Sequence, residues 1–340
     1  MPINTSPIPS RAARTDRSRG RSIVSRLRRP ALAAATVAAA AGVLAGPALA
    51  ANTPPDASGN YAFKTLDNMK DPTFNQLLGI NNSGLISGYF GSGVPGHPNK
   101  GYLLSKPDRQ GNYHNENFPG SAQTQVTGLN NSGITVGFWA DAKGDNSGFY
   151  SYHHRFHTAN APGSANGGTR VDQLLGVNDH GVAVGFYTDA QGNNHGYSYN
   201  IGRHRYRSIT VAGDTNITAS AINDLGDVAG IGTNGAGTTE GFLKRSDGKV
   251  FHLSYPGSSS TQALGVNDGD EVVGDYMVGS GSGATMHGFV WVPGLGFENV
   301  DDPNGVGATT INGVNDRGTL VGFYTDAAGN TDGLLAKAQG

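Results

Sequence analysis

Three titratable side chains stand at equivalent places in this chain and could together carry out acid–base chemistry or hold a metal ion. His195 and His287 each precede a glycine and an aromatic residue, and Glu240 occupies the same place before Gly-Phe. Imidazole and carboxylate groups serve as general acids and bases and as ligands of divalent metals. The alternative is a ring of hydrated polar positions where strands begin, and the wide separation expected between these residues favours it. The corresponding residues elsewhere are Lys100, Ser147 and Asp332.

A second set of polar side chains could bind a neutral ligand such as a sugar. They stand five residues before a recurrent asparagine, and amides or hydroxyls beside aromatic rings suit ligands of that kind. The alternative is a set of amides that hydrogen-bond to one another across a water-filled channel, and this reading is favoured. The set consists of Gln76, Gln125, Gln173 and Gln262, with Thr218 and Thr310 in the remaining places.

Three aspartates open loops that share one pattern. Asp141, Asp189 and Asp326 are each followed by Ala, any residue, Gly and then Asn or Asp. This pattern is typical of a tight turn, because aspartate bonds to its own backbone and glycine supplies positive φ. Carboxylate oxygens also suit calcium, but the dense alternating carboxylates of a dedicated calcium loop are missing. The pattern therefore favours turns and leaves calcium as the one cofactor to consider.

All these residues belong to a unit that recurs six times. The recurrent asparagines are Asn81, Asn130, Asn178, Asn223, Asn267 and Asn315. Each copy contains four short extended runs without helical periodicity, and the first two runs are joined by an Asn-rich turn that usually ends in glycine. A period of roughly 40–50 residues with four strands per copy is typical of a propeller blade. The sequence predicts an all-β, six-bladed propeller, with repeats that begin near residues 73, 122, 170, 215, 259 and 307.

The two ends of the repeat region complement each other. The sixth copy stops near residue 336 without a fourth run, and an orphan run over residues 61–67 resembles the fourth run of the fifth copy over residues 297–303. We expect the N-terminal strand to complete the last blade and close the ring, which would remove an exposed sheet edge. A single domain over residues 60–336, monomeric in solution, is the prediction.

The N-terminal segment has the pattern of a secretory signal peptide. Residues 1–30 are basic, and residues 31–50 are apolar and end in Ala-Leu-Ala, a combination that predicts cleavage near Ala50–Ala51. A membrane anchor is the alternative, which the small residues at its end disfavour. Pro30 and Ala31, which follow Arg28 and Arg29, fit the Sec route better than the twin-arginine route. Residues 51–59 form a polar linker, and the mature protein is expected outside the cell, free of the membrane.

Charge and cysteine usage exclude several functions. The net charge is −2 and becomes more negative without the basic leader, which argues against nucleic-acid binding because that needs a basic surface. The chain has no cysteine, so disulfides and thiol chemistry are excluded. The sequence also lacks the G-x-S-x-G, H-E-x-x-H and P-loop motifs of common hydrolases and nucleotide-binding proteins.

The repeat resembles that of the extracellular HAF-repeat proteins of bacteria. The shared unit is Gly, an aliphatic residue and Asn, then x-x-Gly-x-x-Val-Gly-x-aromatic, a gapped His-Gly-aromatic triplet and an aromatic strand that ends in Pro-Gly. The resemblance covers residues 60–336, although four copies replace the histidine of the triplet. It implies a secreted or cell-surface propeller-like protein with no established activity, and it assigns no catalytic residue.

Three functions are consistent with these observations. The favoured hypothesis is a secreted repeat protein that binds an extracellular polysaccharide, a cell-wall component or a protein partner. The second is a secreted glycan hydrolase or lyase that acts at the channel mouth, and the third is a structural surface protein. A rigid ring that carries variable loops favours binding, because such loops are where function concentrates.

Overall fold

The architecture is a ring of six antiparallel sheets, as the repeat predicted. A computed structural model describes residues 53–164 and 169–339. Within these ranges, twenty-four strands form six sheets of four strands each. We call the sheets blades 1 to 6 in the order of their innermost strands. The predicted signal peptide over residues 1–50 lies outside the described residues, and so does the start of the predicted linker over residues 51–59.

The first three blades follow the chain from the innermost to the outermost strand. Blade 1 consists of β2 (Asn75–Ile80), β3 (Ile86–Phe90), β4 (Lys100–Leu104) and β5 (Tyr113–Asn115). Blade 2 consists of β6 (Gln123–Leu129), β7 (Ile134–Ala140), β8 (Asn146–Tyr152) and β9 (Arg155–Thr158). Blade 3 consists of β10 (Asp172–Val177), β11 (Val182–Thr188), β12 (Asn194–Asn200) and β13 (Arg205–Ser208).

The last three blades repeat this order, except that the sixth takes one strand from the N-terminal side. Blade 4 consists of β14 (Thr215–Ile222), β15 (Val228–Thr233), β16 (Thr239–Lys244) and β17 (Val250–Leu253). Blade 5 consists of β18 (Ser260–Val266), β19 (Val272–Val278), β20 (Thr285–Val292) and β21 (Gly296–Asn299). Blade 6 consists of β22 (Thr309–Val314), β23 (Leu320–Thr325), β24 (Thr331–Ala338) and β1 (Tyr61–Thr65).

The first strand of the chain pairs with the last. β1 runs antiparallel to β24, with Tyr61 opposite Ala338 and Thr65 opposite Leu334. Just beyond this ladder, the backbone N–H of Gln339 donates to the carbonyl of Asn60 at 2.8 Å. Helical structure in the described ranges is confined to short 3-10 turns at Ser58–Asn60, Gln110–Asn112 and Gly281–Gly283. None of the described segments forms an apolar helix long enough to cross a bilayer.

The innermost strands meet around the ring axis at small residues. A Cβ built on Gly128 would lie 3.2 Å from the Cα of Gly176, and one built on Gly176 would lie 2.9 Å from the Cα of Ala221. Each innermost strand also carries a register shift just before this point, as between Leu174 and Gly176 in β10. This close approach explains why glycine or alanine precedes the aliphatic residue and the asparagine in every copy. A larger side chain at the bulge would hold neighbouring strands apart.

The apolar core lies between the blades. Leu77 and Leu104 of blade 1 pack with Leu335 of blade 6, and Leu174 of blade 3 packs with Val136 of blade 2. These side chains are almost fully buried. Because each cluster spans two neighbouring blades, burial of apolar surface stabilises their association as well as the single sheets.

The recurrent asparagines form a closed ring of hydrogen bonds on one face. The Nδ2 of Asn178 donates to the carbonyl of Asn223 at 3.0 Å, and the Nδ2 of Asn315 donates to the carbonyl of Asn81 at the same distance. The other four copies make the same bond to the next blade, at 2.9–3.2 Å. Each Asn Oδ1 also accepts backbone N–H groups of its own turn, as from Val182. The asparagine amide provides both the donor and the acceptor, and an aspartate in its place would lack the donor, which is consistent with asparagine at all six positions.

A second closed ring of hydrogen bonds uses the residue that follows each asparagine; we call it the outer ring and the asparagine ring the inner ring. The backbone N–H of Asp179 donates to Oδ1 of Asp224 at 2.7 Å, and that of Asp316 donates to Oδ1 of Asn82 at 3.0 Å. This ring needs only an acceptor oxygen, so Asn and Asp both serve. The remaining members are Asn131 and Asp268, bonded in the same way.

The inner ring predicts a specific stability cost. Asn178→Ala removes the side-chain hydrogen bond to the carbonyl of Asn223 and leaves buried backbone groups without partners. We therefore expect a loss of about 2 kcal/mol of unfolding free energy. Asp268→Asn keeps the Oδ1 acceptor for the N–H of Asp224 and is expected to change stability by less than about 0.5 kcal/mol. Urea unfolding of both variants measures the difference. Equal stability of the two variants would show that the inner ring contributes nothing.

Candidate functional site

The predicted polar residues of the innermost strands lie around the axis. All six are buried, and Gln173, Thr218 and Gln262 line an axial cavity of about 120 Å³. The carboxamide Oε1 of Gln173 has no hydrogen-bond partner among the described residues. The cavity is too small for a sugar but has room for several waters, which would satisfy this oxygen.

The other members of the glutamine set bond to neighbours away from the axis. Gln76 Oε1 accepts from the hydroxyl of Tyr89 at 2.7 Å, and Gln125 Nε2 donates to Asn99 at 2.9 Å. Thr310 donates to the carboxylate of Asp275. The set therefore does not form one open mouth that could receive a ligand.

The three residues that begin the third strands lie in three different blades, each with its own partner. His195 Nε2 lies 2.8 Å from Asp189, His287 Nδ1 lies 2.7 Å from Asp301, and Glu240 Oε1 lies 2.6 Å from Nδ1 of His252. Each partner belongs to the same blade as the residue it contacts. The structure thus separates the constellation that the sequence suggested and reveals three local pairs instead.

A groove between blades 3 and 4 is the candidate ligand site. Its volume is about 480 Å³, within the roughly 300–1,000 Å³ that small-molecule sites occupy. The rings of Tyr187 and His195 stack along one wall, with centroids 5.0 Å apart and planes 23° apart. The polar groups of the groove come from the end of blade 3 and the connection into β14. They are Asn193, Asn194, Ser208, Thr210, Asp214, Thr215 and Asn216.

Strand register and local turns position these side chains. Tyr187 of β11 and His195 of β12 are direct cross-strand partners, which brings their rings together on one face. Asn216 has a φ of +51°, within a register irregularity of β14 between Thr215 and Thr218. Its Oδ1 accepts the backbone N–H of Asn194 across the blade boundary at 3.2 Å. The groove is therefore held by hydrogen bonds from both blades.

The histidine of the groove is anchored by a carboxylate. The hydrogen bond from His195 is the largest cause that holds the pKa of Asp189 well below its usual range, and backbone N–H groups of the turn add to it. Asp189 therefore stays ionised, and its Oδ2 lies 2.8 Å from Nε2 of His195. The imidazole ring of His195 is therefore fixed in orientation, stacked on Tyr187 at the groove wall.

Each of the three calcium candidates accepts hydrogen bonds from backbone N–H groups of its own turn. Oδ1 of Asp141 accepts the N–H groups of Lys143 and Asp145, and Oδ1 of Asp326 accepts those of Ala328 and Asn330. Oδ1 of Asp189 accepts the matching N–H groups of Gln191 and Asn193. The turn chemistry therefore uses one oxygen of each carboxylate. Calcium binding by these loops stays a prediction.

Blade 5 contains the same aromatic pair in a covered form. Tyr276 and His287 stack with centroids 5.3 Å apart. Tyr255 lies flat on Tyr276, with centroids 3.5 Å apart and planes 5° apart, and the Tyr276 hydroxyl donates to Asn299. The pair in blade 5 is therefore part of the packing, and it offers a matched control for the pair in blade 3.

The groove was missed in the sequence because its members lie in different copies of the repeat. Asp214, Thr215 and Asn216 belong to the connection between blades, where the copies differ most. A signal was present in the fourth copy, which has Gly232 where the other copies have an aromatic residue. Only the three-dimensional arrangement shows that Asp214 fills the space beside that glycine.

Comparisons with solved structures find several similar chains. The structure is similar to TolB from Acinetobacter baumannii, with 12% identity, 75% of this chain and 64% of that chain covered, and a TM-score of 0.49. It is also similar to an Aleuria aurantia lectin mutant in complex with Fucalpha1-6GlcNAc, with 9% identity, 76% and 90% coverage and a TM-score of 0.45. The β-propeller domain of the Trilobed protease from Pyrococcus furiosus matches with 8% identity, 78% and 86% coverage and a TM-score of 0.39.

The match to TolB spans less than two thirds of that chain. No protein-family model matches this sequence. The comparison with curated proteins likewise gives no match. The chain is a six-bladed β-propeller by its own strand pairing.

Proposed function

We propose that this protein is a secreted β-propeller that binds an extracellular glycan in the groove between blades 3 and 4. The observation that carries the proposal is the stacked Tyr187–His195 wall facing hydroxyl and amide side chains across a cavity of about 480 Å³. Aromatic surface covers the apolar face of a sugar ring, while amides and hydroxyls bond to its hydroxyl groups.

The charge and accessibility of the groove support this class of ligand. Its exposed members His195, Ser208, Thr210 and Asn216 offer donors and acceptors but no lysine or arginine, so a neutral ligand fits better than an anionic one. The groove also lies on strands fixed by cross-blade hydrogen bonds, which reduces the ordering cost of binding.

The proposal includes secretion and membership of the HAF-repeat group. The basic and apolar N-terminal segments support export. The recurrent Gly-x-Asn elements and the triplets at His195 and His287 support the resemblance.

Substitution of the aromatic wall tests the proposed site. We expect His195→Ala and Tyr187→Ala to weaken binding of the best ligand from a panel of soluble oligosaccharides at least tenfold, equivalent to about 1.4 kcal/mol. Isothermal titration calorimetry measures the dissociation constants. His287→Ala is the control and should leave them unchanged, because its partner Tyr276 is covered by Tyr255.

The alternatives give different results in the same experiment. Release of shortened products from the oligosaccharides would indicate a hydrolase or lyase. Binding that His195→Ala and Tyr187→Ala leave intact would place the site elsewhere. A complete lack of binding across the panel would contradict the proposal and favour a protein partner or a structural role.

A further inference from the structure

Blade 4 departs from the other blades at two positions that touch each other. Where the other second strands have an aromatic residue near their end, β15 has Gly232; the aromatic residues are Phe90, Trp139, Tyr187, Tyr276 and Tyr324. A Cβ on Gly232 would lie 2.8 Å from Oδ2 of Asp214 and 3.1 Å from its Cβ. The carboxylate of Asp214 therefore occupies space that the glycine leaves open.

The position of Asp214 beside Gly232 brings three metal-ligating side chains together. Asp214 precedes β14, Glu240 belongs to β16 and His252 to β17, and one ligand atom from each lies within 4.8 Å of the others. His252 Nδ1 lies 2.6 Å from Glu240 Oε1 and 3.7 Å from Asp214 Oδ2. Among the described residues, this is the one group of three or more such side chains close enough to share an ion.

Asp214 is buried without a hydrogen-bond partner for one oxygen. Its side chain is 2% exposed, and Oδ2, the atom that faces His252, accepts no hydrogen bond within the described part of the chain. An unsatisfied carboxylate oxygen beside a second carboxylate costs free energy unless a cation or proton accompanies it.

The carboxylate of Glu240 is oriented by neighbours outside the cluster. Its Oε2 accepts from Nδ2 of Asn234 at 3.0 Å and from the hydroxyl of Ser254 at 3.3 Å. Oδ1 of Asn234 in turn accepts two backbone N–H groups of its own turn, which fixes the amide. Oε1 is thereby directed towards His252, in the way that outer hydrogen bonds orient metal ligands.

We propose that Asp214, Glu240 and His252 form a site for a divalent first-row transition metal, with Zn²⁺ as its representative. A nitrogen ligand with two carboxylates suits Zn²⁺, whereas Ca²⁺ takes six to eight oxygen ligands. Bonds of about 2.0–2.2 Å place ligand atoms roughly 3.3 Å apart in tetrahedral geometry. The separations of 2.6 and 3.7 Å bracket this value.

Three protein ligands leave a fourth coordination position for water. Asp214 also lines the groove between blades 3 and 4, whereas Glu240 and His252 do not. The metal site is independent of glycan binding, and either proposal can fail without the other.

The test uses the untagged full chain, freed of metal and titrated with Zn²⁺ alone. We expect one equivalent of Zn²⁺ to bind and Co²⁺ to give the visible absorption of a low-coordinate site. His252→Gln and Asp214→Asn should each weaken Zn²⁺ binding at least tenfold. Gly232→Ala should do the same by displacing Asp214, although it removes no ligand. His287→Gln is the matched control and should bind like the parent, since it alters a histidine–aspartate pair without a third ligand.

The outcomes separate the site from adventitious binding. Unfolding curves recorded with EDTA show whether each variant is folded, and the Co²⁺ spectrum of the parent does not depend on any variant. Failure of the parent to bind one equivalent of Zn²⁺ would overturn the proposal. Binding that His252→Gln leaves intact would overturn it as well, because the ion would then sit on other histidines.

Discussion

Replacement of Gly185 by alanine is expected to unfold the protein or lower its unfolding free energy by more than about 3 kcal/mol. Gly185 lies in β11 opposite the bulge of β10, and a Cβ there would lie 1.9 Å from the carbonyl oxygen of Gln173. The obstacle is backbone, so no change of rotamer relieves it. The bulge itself holds the innermost strand against the axis, and the sheet cannot shift without opening the ring.

A second glycine provides the control for this effect. Gly235 lies in a loop where a Cβ would meet nothing within 4 Å, and Gly235→Ala is expected to change stability by less than about 0.5 kcal/mol. Urea unfolding of the two variants beside the parent measures the contrast. A Gly185→Ala protein as stable as Gly235→Ala would mean that the strands adjust freely around the bulge.

The second large effect concerns a buried carboxyl group in blade 5. Asp275 takes the place that aromatic or aliphatic residues hold in the other second strands, such as Phe138 and Phe186. Its neighbour Thr310 donates one hydrogen bond to it at 3.2 Å. Burial raises the pKa of Asp275 to about 7. A neutral, protonated carboxyl group is therefore favoured in this position.

The raised pKa predicts that stability falls as pH rises from about 4 to about 7. In this window the folded protein keeps the proton that the unfolded chain releases, so the proton-linked stability present at low pH is lost as Asp275 ionises in the fold. Asp275→Asn stays neutral and keeps an acceptor for Thr310. We expect it to match the parent near pH 4.5 and to exceed it near pH 8, by at most about 4 kcal/mol.

Unfolding by urea at both pH values measures this difference. Burial also raises the pKa values of Asp67 and Asp172 to about 6 each. The unfolding free energy of the parent therefore depends on pH through these groups as well. The difference between variant and parent isolates Asp275, since both proteins share those groups. A difference that does not change with pH would contradict the assignment.

The fold was predictable because the pattern that encodes it is local and repeated. Five of the six copies have an Asn-x-x-Gly turn, which specifies a hairpin through the chemistry of two residues, and their repetition supports one architecture. The turns at Asp141, Asp189 and Asp326 were predictable for the same reason. By contrast, the hairpin before β9 has His153 and His154 at φ values of +51° and +58°, without a glycine or asparagine that would mark it in the sequence.

The candidate site was less predictable because its residues meet across blade boundaries. His195 was identified from its place in the repeat, but its partners Tyr187 and Asp189 follow from strand register and turn geometry. Asp214 and His252 stand far apart in sequence and outside the repeated motif. Their proximity depends on Gly232, which has no side chain where the other five copies have an aromatic residue. A pattern common to six copies does not predict the effect of a residue found in one copy.

The outer hydrogen-bond ring allows the charge of one face of the propeller to change while its backbone hydrogen bonds are kept. Every member contributes one acceptor oxygen, and that oxygen is present in asparagine and aspartate alike. This chain has Asp179, Asp224, Asp268 and Asp316 beside Asn82 and Asn131. Exchanges between the two residue types would therefore change the electrostatic potential of the face while each member kept its acceptor for the neighbouring backbone N–H.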